Sequence, residues 1–531
     1  MQTIQEKAAW IKEGKAVLAI ELGSTRIKAV VIGKDHSPIA QGGHSWENHN
    51  KNGVWTYSLE EVWAGLCSCY GDLAQNVRTT YGVELRSFAA IGISAMMHGY
   101  LAFDREDRQL AEFRTWRNTM TGEAAAELSE LLQFNIPQRW SLAHLYQAIL
   151  NGEEHVQEVA YLTTLSGYVH WKLTGRKVLG IGDASGMFPV DSDLHDFDRK
   201  MLEKYQTAAA GHGWQGDVFH ILPQVLCAGE DAGILTEEGA LLLDPSGRLE
   251  AGIPMAPPEG DAGTGMVATN SVARGTGNVS AGTSVFSMVV LEKTLSDYYE
   301  QIDLVTTPAG RPVAMVHCNN CTNEINAWAG LLEDFLQKMG YPVDRNRLYE
   351  VMFGAAASAA ADCGQVYVYN YLAGEPVVGV EEGRPLMMRT AQAEFTFSNL
   401  MLSQLYAAVS TLQLGMRILE KEGVSMRRLY GHGGYFKTTD MGQRVLAAAL
   451  NVPVAVMETA GEGGAWGMAL LAAYLCEKQK GQSLENFLAE QVFRQAASME
   501  IAPDPELRAG YERYIAAYEA GLGMMGRWKL N

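Results

Sequence analysis

Glu21, Ser24, Thr25 and Lys28 lie close together where one apolar run ends and the next begins, and they place a carboxylate, two hydroxyls and an ammonium around Gly23. Backbone N–H groups and hydroxyls on such a turn can point at phosphate oxygens, glycine lets a ligand approach the main chain, and Lys28 adds a point charge. Glu21 follows Val17-Leu18-Ala19-Ile20. Buried there without a partner it would be costly, so Mg²⁺ or its water shell is its natural counterpart. Asp261, within Glu259-Gly260-Asp261-Ala262-Gly263, is a carboxylate on a glycine-flanked loop, suited to accept a proton from a substrate hydroxyl. A second small-residue turn, Gly282-Thr283-Ser284, repeats Gly23-Ser24-Thr25 at an offset of 259 positions, and the two together read as a two-sided phosphate clamp. Gly431-His432-Gly433-Gly434 follows a strand and precedes a helix, so its backbone can lie against a planar ligand. Taken singly, each motif also has an ordinary reading: a structural turn, a helix-capping Asp, a tight left-handed turn.

The elements that must carry these residues alternate. Ala16–Leu22 and Ile27–Ile32 read as strands, with a short one at Ile39-Ala40. Ser58 and Glu61 form a capping box for a helix through about Val77, and Phe88–Ser94 is a buried strand ending in Ala95-Met96-Met97-His98-Gly99. Strand–helix alternation predicts an α/β sheet with ligands at strand ends. The second half follows suit: a helix over 323–339, a strand at 365–369, and a long helix over 399–422 stopped by Gly423. Then come a strand at 428–430, a helix to Leu450, a strand at 454–456, and Gly461-Glu462-Gly463-Gly464 opening an apolar helix. The expected domains are 15–268, 269–480 and a helical tail, 481–531, packed outside on the second domain.

Composition narrows the function. Lys and Arg number 42 against 61 Asp and Glu, a net charge of −19, so nucleic acid and anionic membrane are poor partners. Seven scattered cysteines fit reduced thiols in a cytoplasmic protein, and Cys318 and Cys321 lack the further ligands of a zinc set. Gly263-Thr264-Gly265 with Ala268 matches a dinucleotide fingerprint, but Pro257-Pro258 precedes it where a strand is needed, so a Rossmann oxidoreductase is rejected. No G-x-x-x-x-G-K-[ST] occurs, which excludes a P-loop NTPase.

The ordered set of motifs resembles the FGGY carbohydrate kinases, which include xylulokinases, ribulokinases and glycerol kinases. The strand-turn-strand opening and Ser94–Tyr100 come first, then Leu173-Thr174-Gly175 with Asp183-Ala184-Ser185-Gly186, and Gly260-Asp261 with Gly282-Thr283-Ser284. Tyr371-Leu372-Ala373-Gly374-Glu375 and Gly431–Gly434 with Glu458 and Gly463–Gly467 complete it. The resemblance implies two ribonuclease-H-like domains of the actin and hexokinase type, with sugar and ATP in the cleft between them. It implies Asp261 as general base, with Glu21 and Asp261 at a Mg²⁺ site. Ser24, Thr25 and Lys28 would hold the transferring phosphoryl from one side, and Gly282 and Thr283 from the other. Gly433 and Gly434 would line the adenosine site, and Met97, His98 and Trp116 would border the sugar. This chain has Glu21 where the family usually has Asp, Lys28 in place of Arg, and Asn118 where xylulokinases carry Asp. His144 and Gln147 likewise replace a usual Lys and Trp. The implied activity is ATP-dependent phosphorylation of a small ketose, a ketopentose foremost, with domain closure excluding water. A polyol or sugar-acid kinase and a non-catalytic ATP-binding module are the alternatives, and a homodimer stays open.

Overall fold

The computed structural model describes residues 3–438, 440–457, 463–494, 496 and 498–525. The chain divides into two compact units. The first comprises Met1–Val272, Tyr298–Val313 and Glu462–Gln495, the second Ala273–Asp297, Ala314–Gly461 and Ala496–Asn531. Both are thus interrupted in sequence, where the expected domains are continuous.

In the first unit, β1 (Val17–Leu22) and β2 (Arg26–Ile32) form an antiparallel hairpin extended by β3 (Pro38–Ser45). β4 (Ala90–Ala95) runs parallel to β1, and the two-residue β5 (Glu259–Gly260) runs parallel to β4. The order is β5-β4-β1-β2-β3. Apart from Glu21, β1 is fully buried, as an unbroken apolar run in a sheet covered by helices should be. One covering helix, Leu59–Tyr81, packs on β2 and β3. It begins at the Ser58/Glu61 capping box, with both reciprocal bonds formed (3.1 and 2.9 Å), and ends one turn beyond the expected stop, at the left-handed Gly82. The apolar helix Gly463–Glu477 packs on β1 and β4 and on the helix Asp261–Ala268.

In the second unit, β6 (Thr276–Ala281) pairs antiparallel with β7 (Val285–Val290) and parallel with β9 (Arg428–His432), with β8 (Pro312–Cys318) beyond β7. β10 (Val454–Met457) runs parallel to β9, and β11 (Ser498–Ile501) antiparallel to β10. The order β8-β7-β6-β9-β10 reproduces that of the first unit. The helix Phe397–Lys421 is buried along most of its length, which explains why its sequence is apolar or small almost all round.

The C-terminal tail departs from the expectation of an outer helical layer. It adds β11 to the sheet edge, and its last helix, Pro505–Met525, sends Tyr511, Tyr514 and Tyr518 into the core of the second unit. There Tyr518 stacks on Tyr369 with ring centroids 4.5 Å apart. Tyrosine suits such a position because its ring fills volume while its hydroxyl finds a partner, here Tyr518 to Tyr371 at 2.7 Å. Among the described residues no helix is long and apolar enough to cross a membrane.

Candidate active site

Three strand ends converge in the first unit because β1, β4 and β5 are parallel and in register: Leu22 lies beside Ala95, and Ala95 beside Gly260. The segments that follow these strands are Gly23–Thr25, Met96–His98 and Asp261. Ligands of parallel α/β sheets bind outside such carboxyl ends.

Asp261 lies not in a loop, as expected, but at the first position of the helix Asp261–Ala268. A helix N-terminus favours a carboxylate, and the Met97 N–H donates to Asp261 Oδ1 at 3.1 Å. Protein crowds the carboxyl and raises it above the ordinary Asp range, the backbone N–H groups of Met97, Ala262 and Asp261 opposing, although solvent still reaches it. Met97 therefore serves through its backbone. His98 adopts a left-handed φ of 72° and places Nδ1 3.0 Å from the Gly186 carbonyl, which requires a proton on Nδ1 and leaves Nε2 as an acceptor. Burial foremost, then the charge of Arg139, lowers its pKa to about 3, so the ring stays neutral. It lies parallel to Trp140, 6.4 Å away.

Glu21 and Lys28 are register partners across the hairpin and share one face of the sheet. Glu21 Oε2 is buried without a hydrogen-bond partner. Burial, then the charge of Asp261, pushes Glu21 up to about 7, with Lys28 opposing. A divalent cation would relieve both pressures, and Mg²⁺ characteristically takes one or two carboxylates while keeping waters and phosphate oxygens. The donor set fits, although no group of three or more His, Cys, Asp or Glu is arranged for a metal among the described residues. Gly464 belongs to this site by necessity: a Cβ there would stand 1.9 Å from Glu21 Oε2. Glu458, Gly461 and Glu462 lie outside the described residues.

Two acids that sequence reasoning gave no role complete a carboxyl cluster. Asp183 is buried and accepts from Thr164 Oγ1 at 2.7 Å and from Ser166 Oγ, while Oδ1 has no partner. Burial raises it to about 7. Glu259 is buried and accepts the N–H groups of Gly182 (3.2 Å) and Asp183 (3.0 Å). Burial and the charge of Asp183 push it up to about 8. Like charges so close cannot all ionise, so protons are retained and Asp261, the most exposed of the four, is the one free to exchange with solvent. The only early signal was Asp183 within an otherwise small-residue motif.

Trp116, expected to border the sugar, is exposed, with its indole N–H donating to Ser24 Oγ at 3.1 Å. Asn118 turns inward instead: it accepts from Trp55 N (2.9 Å) and donates to Trp55 O (2.8 Å) and Thr115 O (2.9 Å). It is a framework residue: these bonds take up both its amide oxygen and its amide nitrogen at the position where xylulokinases usually carry Asp.

In the second unit, β6 and β9 are parallel with Ser280 opposite His432, so Gly282-Thr283 and Gly433-Gly434 leave the sheet on the same edge. Gly433 has φ 103°, and a Cβ there would come within 2.3 Å of Ala281 O. Gly282 and Gly434 face open space. The segment after β8 backs the first turn. Thr322 donates to Gly282 O from N (3.0 Å) and Oγ1 (2.7 Å), and Cys321 N donates to Thr283 O (3.0 Å). Cys318 and Cys321 are buried thiols, raised by burial. Asn320 holds this segment to Glu375 (3.0 Å) and to the N–H groups of Leu372 and Ala373 (2.9 Å each).

Comparison with known proteins bears on both units. Residues 16–267 match the model of the FGGY family of carbohydrate kinases, N-terminal domain, and residues 277–476 match its C-terminal domain. A xylulose kinase of Haemophilus influenzae is 21% identical over 439 residues, 80% of this chain and 83% of that protein. A glycerol kinase of Thermococcus kodakarensis is 21% identical over 292 residues, 52% and 54% of the two chains. Among solved structures, a xylulose kinase from Rhodospirillum rubrum superposes with a TM-score of 0.79 at 16% identity, covering 97% of this chain and 99% of that one. A gluconate kinase from Lactobacillus acidophilus gives 0.75 at 15%, covering 97% and 100%. The fold is therefore α/β with two ribonuclease-H-like units of the actin and hexokinase type.

Proposed function

Because the chain belongs to the FGGY family of carbohydrate kinases and is a phosphotransferase acting on a carbohydrate, we propose that it transfers the γ-phosphoryl group of ATP to a hydroxyl of a small ketose. A ketopentose, L-ribulose or xylulose, is the preferred substrate, and a 5-phosphate the product. The observation that carries this reading is the position of Asp261, solvent-accessible at the end of β5 and held by the Met97 N–H in register with the Gly23–Thr25 turn.

In this reading the sugar O–H gives its proton to Asp261 as its oxygen attacks phosphorus. Burial raises the Asp261 carboxyl above the ordinary Asp range, which makes it a better proton acceptor than an ordinary aspartate whenever it is ionised. Ser24, Thr25 and Lys28 receive the transferring group, and Gly282, Thr283, Gly433 and Gly434 hold the nucleotide. Glu21 with Asp261 would hold Mg²⁺, which supplies charge neutralisation on the phosphates. His98 Nε2 accepts a hydrogen bond from a sugar hydroxyl. Protonated or anionic carboxyls around Asp261 favour a neutral sugar over a sugar acid.

Release of ADP measured across ketopentoses, polyols, hexoses and sugar acids tests the assignment. Turnover highest with a ketopentose is expected; absence of sugar-stimulated turnover with the whole panel would overturn it.

A further inference from the structure

The Gly23–Thr25 turn is enclosed by aromatic side chains whose polar edges all donate into it. Trp46 Nε1 donates to Gly23 O at 2.7 Å, Tyr57 Oη to Ser24 O at 2.5 Å, and the Trp46 N–H to Thr25 O at 3.2 Å. Trp116 Nε1 donates to Ser24 Oγ at 3.1 Å. Trp46 and Tyr57 stack with ring centroids 4.2 Å apart, so their donors are mutually braced. Trp116 is braced in turn. Thr115 and Asn118 on either side of it bind the backbone of Trp55, and Arg117 lies 4.0 Å over the Trp55 ring.

An indole N–H can only donate, so Ser24 Oγ must accept from Trp116, and the hydroxyl proton is turned away from the indole. The three carbonyls of the turn each already hold a donor. What the turn offers outward is therefore its own donors, beside Lys28. We propose that Trp116 is a positioning residue for phosphoryl transfer: it fixes the Ser24 hydroxyl as a donor to a phosphoryl oxygen, within a turn whose acceptors Trp46 and Tyr57 occupy. This rests on the phosphotransferase reading and assigns a task to the edge of Trp116 distinct from the sugar contact of its ring.

The test is a double-mutant cycle of Trp116→Phe and Ser24→Ala, read in two ways. With whichever ketopentose the wild type turns over, Trp116→Phe keeps an aromatic ring but loses the indole N–H together with part of the ring area, so kcat should fall about tenfold while the sugar KM moves much less, as for one directed hydrogen bond. In the Ser24→Ala background the same change should cost nothing further, a non-additivity that a merely structural role of the ring would not produce. Calorimetric binding of inorganic phosphate to the four proteins should show the same pattern. Multiplicative effects on kcat, or a Trp116→Phe enzyme with wild-type kcat, would overturn the inference and leave the kinase reading standing. Should no sugar be turned over, the kinase reading falls, and the phosphate cycle alone decides: equal, non-additive weakening supports the role of Trp116, and additive weakening or no phosphate binding refutes it.

Discussion

The two small-residue turns occupy the same place in two sheets of the same strand order, yet they are built differently. Val17 and Thr276, and Leu22 and Ala281, are each separated by 259 positions, so the strands before the turns correspond end to end. The charged groups do not: Glu21 and Lys28 correspond to Ser280 and Ser287. The hairpin register also slips by one residue, since Leu22 faces Ile27 while Ala281 faces Val285. The first turn closes with Gly23 N donating to Arg26 O, the second with Gly282 N donating to Ser284 O. A one-residue change of loop exchanges which residues share a face. In the first unit it sets Glu21 beside Lys28, and in the second it sets Ser280 beside Phe286. The first turn is backed by aromatic donors and ringed by carboxyls, the second by backbone and Thr322. In the proposed reading, repetition of one scaffold would allow division of labour: proton and phosphoryl chemistry on one copy, nucleotide on the other.

That contrast can be broken from either side. Asp261→Ala should lower sugar phosphorylation about 10³-fold, within the range for loss of a general base, while nucleotide binding survives. Near-normal turnover would remove Asp261 from that role. On the other copy, Gly433→Ala forces a side chain against Ala281 O at a left-handed φ, so the KM for ATP should rise on the order of tenfold or more with the sugar KM unchanged. Glu21→Gln should raise the Mg²⁺ concentration for half-maximal activity about tenfold, as expected for loss of a carboxylate ligand or its close support. Its counterpart Ser280→Ala should leave the metal titration unmoved, and equal shifts would erase the asymmetry. Thr322→Val removes the 2.7 Å bond to Gly282 O and should weaken ATP about fivefold, the ordinary effect of one hydrogen bond, without touching metal dependence.

The smallest effect on activity is expected from Asp183→Asn, whose signature is in stability. Asp183 keeps its proton up to about pH 7 in the fold, against a reference value of 3.8. Between those values the folded state binds a proton that the unfolded chain has released, so this group makes stability fall as pH rises from about 4 to 7. The asparagine variant should lose that component of the slope, measured by urea unfolding at several pH values; an unchanged slope would mean Asp183 is ionised in the native protein.

Much of this architecture is legible in the residues. Continuous apolar runs marked β1, β2 and β4, because strands covered on both faces must be apolar throughout. The Ser58/Glu61 box marked a helix start, because its two bonds are local. The tail was not legible. Its tyrosines read as a mixed helix, since a ring with a polar end is compatible with surface or core, and only the stacking of Tyr518 on Tyr369 decides. Nor was the inward turn of Asn118, whose partners on Trp55 come from a distant stretch of chain.

The sequence by itself determined the alternation of elements, the repeat at 259 positions and the identity of the groups able to bind phosphate or accept a proton, because these depend on local periodicity and residue type. Tertiary structure alone decided which groups meet. It set Glu21 opposite Lys28 by hairpin register, raised Asp183 and Glu259 by burying them beside one another, and brought the N–H of Trp116 to Ser24. Registers, burial and long-range hydrogen bonds are properties of the packed chain, and no short window of residues contains them.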